Sequence, residues 1–100
     1  MNAKDTILEF RSKHAGRNQS DATMIVNAAK CDILFSSVVN VKTLKLTENK
    51  ISGAFVRPMT SECAQNFAAK LTKTINRKMS MRGIVVDVEI LFGMSIEITW

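Results

Sequence analysis

Residues 59–83 constrain this chain more than any other stretch, because they carry start, face and stop signals for one long helix. Pro58 ends the extended segment before it. Thr60 and Ser61 each offer a side-chain oxygen to the first free backbone N–H groups, and Glu62 places a negative charge at the positive end of the helix dipole. Ala64, Phe67, Ala68, Leu71, Ile75 and Met79 then recur at steps of three and four. At about 100° per residue they share one side of the cylinder, and that side must be buried. Gly83 suits the left-handed position that closes a helix.

Opposite the apolar stripe fall Asn66, Lys70, Lys73 and Arg77, with Lys78 and Arg82 near the end. These five cations form a candidate partner-binding face. A plainer cause also exists, since cations complement the negative end of a helix dipole and exposed faces are normally charged.

The flanking segments read less sharply. Asn2 can cap a first helix whose apolar steps are Ala3, Ile7, Phe10 and His14, stopping near Gly16. Ser20 is expected to cap a second, with Met24, Ala28, Cys31, Phe35 and Val38 on one stripe. Residues 32–39 also fit strand alternation, and the pair Val38 and Val39 favours extended chain, so the change from helix to strand is placed near residue 36. Residues 41–58 predict a hairpin: Leu44 and Leu46 alternate with Thr43, Lys45 and Thr47, and Ile51 and Phe55 return on one face. The tip is Glu48, Asn49 and Lys50, with Asn49 suited to a left-handed turn. After the long helix, Ile84, Val86, Val88 and Ile90 alternate with Val85, Asp87, Glu89 and Leu91. A turn at Gly93 then leads into Met94, Ile96, Ile98 and Trp100, alternating with Ser95, Glu97 and Thr99.

Together these elements predict an α+β fold. It is a two-layer sandwich in which a four-stranded, mostly antiparallel sheet of two hairpins packs on one long helix and one or two N-terminal helices, in the order α-α-β-β-α-β-β. One hundred residues make one domain, helical over 1–40 and ββαββ over 41–100; 46% hydrophobic residues are enough for a core without staples. Thr43 and Lys45 on one hairpin and Asp87, Glu89, Glu97 and Thr99 on the other would share the outward sheet face, where pairing of the hairpins brings opposite charges together. Val85 and Leu91 are outward apolar positions, and they and the open edges motivate a homodimer reading.

The charge is unevenly placed. Residues 1–40 hold five basic and four acidic groups, 41–59 four and one, 60–83 five and one, and 84–100 none and three, giving the net +5. Positive potential therefore belongs to the middle of the chain and favours an acidic partner. Cys31 and Cys63 have no metal or redox spacing and are expected to be buried thiols. The single histidine, His14, lies between Lys13 and Arg17, no glycine-rich phosphate loop occurs, and Asp87 with Glu89 reads as a solvated pair. No catalytic residue, metal ligand or cofactor is therefore expected. No run approaches the roughly 18 apolar residues of a membrane span, and the N-terminus lacks a signal-peptide pattern, so the expected compartment is the cytoplasm.

Two functional classes follow. One is a non-catalytic protein-binding module, an adaptor, chaperone-like protein or inhibitor, that meets an acidic protein surface through Lys70, Lys73, Arg77, Lys78 and Arg82 or through a free sheet edge. The other is nucleic-acid binding through phosphate contacts, with Lys42, Lys45 and Lys50 as secondary candidates. A winged-helix-like version would use the helix after Ser20 and the first hairpin, with Lys50 at its tip, as the wing, although that helix offers only Asn27 and Lys30 to read bases. Stacking on single strands is disfavoured because Phe10, Phe35, Phe55 and Phe67 fall on apolar faces.

Overall fold

The computed structural model describes Glu9, Phe10 and residues 19–100. Glu9 and Phe10 are helical, and Phe10 is buried in the core; the rest of the expected first helix, from Asn2 through His14 to Gly16, lies outside the described residues. The elements that follow are α1 (Gln19–Ala29), α2 (Ile33–Val38), β1 (Val39–Thr47), β2 (Lys50–Phe55), α3 (Ser61–Met79), a 3-10 turn (Ser80–Arg82), β3 (Asp87–Leu91) and β4 (Ser95–Thr99).

The long helix forms where its signals place it. Thr60 is the N-cap, its Oγ1 accepting from the Cys63 N–H at 3.3 Å, and Glu62 sits in the first turn. Ala64, Phe67, Leu71, Ile75 and Met79 are buried and Ala68 is half-buried. The helix tightens into the 3-10 turn before Gly83 ends it at φ 69°, donating to the Ser80 carbonyl.

The N-terminal helices correct the sequence reading in three places. Ser20 is no cap, because α1 already includes Gln19. The buried side of α1 is Ala22, Thr23, Ile25, Val26, Ala28 and Ala29; of the expected stripe Ala28 and Phe35 are buried, while Met24 and Cys31 are exposed. The reason is a break at residues 30–32: Asp32 caps a new helix, its Oδ1 accepting from the Leu34 N–H at 2.9 Å. A stripe phased through Met24, Cys31 and Val38 cannot survive that break. Residues 33–38 are therefore helical, and extended chain begins at Val39 rather than near residue 36. Cys63 is exposed as well, so both thiols are open to solvent: Cys31 lies past the end of α1, and Cys63 falls outside the buried stripe of α3.

The four strands form one antiparallel sheet in the order β1-β2-β4-β3. The two hairpins join through β2 and β4, with Ile51 opposite Ile98 and Gly53 opposite Ile96. Leu44, Leu46, Ile51, Phe55, Val88, Ile96 and Ile98 belong to one buried cluster with Phe67, Leu71, Ile75 and Met79 of α3. Phe55 and Phe67 meet at a tilt, centroids 6.3 Å apart, which is a favoured aromatic geometry.

The first hairpin turns on two residues, Glu48 and Asn49, and the left-handed position is taken by Glu48 (φ 51°) rather than Asn49. The register between β1 and β2 slips between Asn40 and Lys45. There the Thr43 hydroxyl donates to the Asn40 carbonyl at 2.6 Å and accepts from the Ala54 N–H at 2.8 Å, replacing ladder bonds that the bulge removes. Gly53 lies under this bulge, where a Cβ would come within 2.9 Å of Leu44 Cδ2. The second hairpin turns through Phe92 (φ 55°) and Gly93 (φ 66°). A Cβ on Gly93 would lie 2.2 Å from the Met59 carbonyl oxygen, so this tip docks tightly against the start of α3.

Candidate functional site

The five predicted cations do not form one face. Lys70, Lys73 and Arg77 are exposed along α3 at steps of three and four, and none belongs to either ion pair found among the described residues. Lys78 lies towards α1, in a depression lined also by Met24, Asn27 and Cys31. Arg82 is engaged elsewhere: its Nη2 donates to Asp21 Oδ1 at 2.8 Å, tying the end of the 3-10 turn to the first turn of α1. The usable stripe is thus Lys70, Lys73 and Arg77.

Beside that stripe the structure places apolar surface that sequence periodicity missed. Ile33 is 85% exposed and Leu34 is 42% exposed, and both line a groove of about 410 Å³ with Lys70, Thr74 and Ser37. They are exposed because α2 is a short helix of six residues whose buried anchor is Phe35. Asp32 sits at the floor of the same groove, 5% exposed; its Oδ1 is engaged by the cap, and Oδ2 has no hydrogen-bond partner among the described residues.

The secondary candidates divide too. The bulge in β1 brings Lys42 and Lys45 to a shallow depression on the outward sheet face, with Thr43, Ser52 and Ser95. Lys50 instead leans across to β4, its Nζ 3.7 Å from Glu97 Oε2, as expected where opposite charges meet on neighbouring strands. Because β2 is an interior strand, the first hairpin is part of the sheet and not a free wing. Lys30, at the end of α1, is half-buried, and that burial lowers its pKa from the ordinary 10.5.

The β3 edge forms a third surface. Val85 is 75% exposed, while Leu91 is half-buried rather than fully outward. A groove of about 430 Å³ runs between this edge and the first half of α3, lined by Met59, Ala64, Ala68, Val88, Ile90 and Phe92 together with the polar Ser61, Gln65 and Glu89. Phe92 is 98% exposed at its mouth; a phenylalanine in a left-handed turn belongs to neither strand face, so alternation gives no sign of it.

Among the described residues no group of three or more His, Cys, Asp or Glu side chains is placed to hold a metal ion, and no helix is long and apolar enough to cross a membrane. His14 lies outside the described residues. In comparisons with known proteins, no family model, no curated relative and no solved structure matches this chain.

Proposed function

We propose that this chain is a small, non-catalytic protein-binding module of the cytoplasm, acting as an adaptor, chaperone-like protein or inhibitor whose basic helical face meets an acidic protein surface. The groove shared by Lys70 with the exposed Ile33 and Leu34 carries this reading. A phosphate backbone uses cations and gains little from aliphatic side chains beside them, whereas protein interfaces combine an apolar centre with a charged rim. Lys73 and Arg77 extend the rim along α3 and would steer an acidic partner into contact.

The nucleic-acid reading keeps one observation of its own, the regular exposure of Lys70, Lys73 and Arg77 along one helix. One experiment separates the two. The tagged chain is used to capture partners from nuclease-treated lysate, alongside titration of a duplex DNA, with the parent, an I33S/L34S variant and a K70E/K73E/R77E variant. The protein-binding reading expects one dominant captured protein, lost with either variant. Duplex binding that is steeply salt-dependent, abolished by the charge reversals and untouched by I33S/L34S, with no captured protein, would replace it.

A further inference from the structure

Hydrogen bonds along β4 establish which backbone groups of β3 face outward. The Trp100 N–H donates to the Asn49 carbonyl at 3.1 Å, and the Met94 carbonyl accepts from the Phe55 N–H at 2.8 Å. The even-numbered residues of β4 therefore turn their polar groups to β2. By alternation Ser95, Glu97 and Thr99 turn theirs to Leu91, Glu89 and Asp87, their partners on β3. Val88 and Ile90 are left with N–H and C=O groups pointing away from the sheet.

Val86 shows the same direction independently. Its N–H donates to Asn76 Oδ1 at 2.7 Å and its carbonyl accepts from Asn76 Nδ2 at 3.4 Å, so an amide from α3 occupies the place of a neighbouring strand. Asn76 closes the edge at Val86. Beyond it, among the described residues, a groove lies between the small Ala64 and Ala68 of α3 and the edge at Val88 and Ile90. The opposite edge differs, since Leu44 and Leu46 of β1 have further partners.

The charge at this edge is unbalanced. Glu89 lies directly opposite Glu97, a pairing of like charges that costs stability, and Asp87 lies two residues away on the same face. Lys50 reaches Glu97, but among the described residues no cation reaches Glu89 or Asp87. Residues 84–100 contain three acids and no base.

We infer that β3 is a docking edge for an extended segment of a partner protein in which basic and apolar residues alternate. This rests on the protein-binding reading and adds a second contact of opposite sign to the α3 face. The segment pairs with the N–H and C=O groups of Val88 and Ile90. Its apolar side chains enter the groove under Ala64 and Ala68, with Phe92 at one end. Its lysines or arginines lie on the outward face beside Asp87 and Glu89.

The test is a titration of the folded chain with a synthetic peptide alternating lysine and valine, followed by amide NMR. Two controls are used: the same residues with all lysines in one block, and the alternating peptide with N-methylated backbone amides. The alternating peptide should bind saturably and slow hydrogen exchange at Val88 and Ile90, and N-methylation should weaken it at least about tenfold. A D87K/E89K variant should weaken it by a similar factor. That variant removes the Glu89–Glu97 repulsion, so it is expected to fold. Equal binding of the blocked peptide, or unchanged binding by D87K/E89K, would overturn the inference. So would a chain that sediments as a dimer and separates on D87K/E89K, since a second copy would then occupy the edge. If the inference fails while the parent and D87K/E89K capture the same partner from lysate, the protein-binding reading stands and only the edge is wrong.

Discussion

Asn76 illustrates how one side chain decides what a surface can do. No sequence pattern singles it out, yet its amide holds both backbone groups of Val86. Replacing it with alanine leaves a half-covered N–H and C=O without their partner, which costs about 1–3 kcal/mol. Asn76→Ala is therefore expected to lower the urea midpoint, and the Val86 amide should exchange with solvent faster than in the parent. Gly93 is legible in the sequence as a turn residue, but only the structure adds that the Met59 carbonyl excludes any side chain there. The cysteines are exposed, against the expectation from sequence, for a related reason. Cys31 lies in the break that ends α1, and Cys63 lies just beyond one margin of the α3 stripe, so small errors of phase turn exposed thiols into buried ones. Both thiols of the folded chain should react with a thiol reagent as fast as in denaturant; slow labelling of either would contradict its exposure.

The elements divide by the strength of their signals. Helix α3 has a cap, a continuous apolar face and a left-handed glycine, and all three appear as read. The strands were legible from alternation, apart from their ends: β1 begins at Val39, β3 begins at Asp87, and residues 84–86 precede β3 without joining the ladder. Helix α2 was ambiguous because six residues hold too few turns for periodicity to distinguish helix from strand. Its existence depends on the Asp32 cap. Asp32→Ala is expected to cost about 1 kcal/mol, and Asp32→Asn much less, because asparagine keeps the accepting oxygen. Chemical denaturation of the two variants against the parent measures the difference.

At the scale of the whole molecule, two hairpins of opposite charge are joined through β2 and β4, and the Lys50–Glu97 contact crosses that seam. Exposed pairs of this kind contribute under about 1 kcal/mol. Lys50→Ala should therefore destabilise slightly, and adding Glu89→Gln should recover most of the loss by removing the repulsion that Lys50 offsets. A double-mutant cycle showing no coupling between these sites would mean the charges across the seam act independently. The sequence by itself determined the class of fold, the central helix with its buried stripe, the alternation of the strands and the uneven charge along the chain, because each is a local periodicity or a sum over neighbours. Only the tertiary structure decided which cations remain available, which apolar residues stand beside them and which strand edge stays open. Those depend on where α2 breaks from α1, how β4 inserts between β2 and β3, and where Asn76 reaches. The last two bring together residues distant in the chain, which no local pattern encodes; the first rests on the single Asp32 cap, too short a feature for periodicity to reveal.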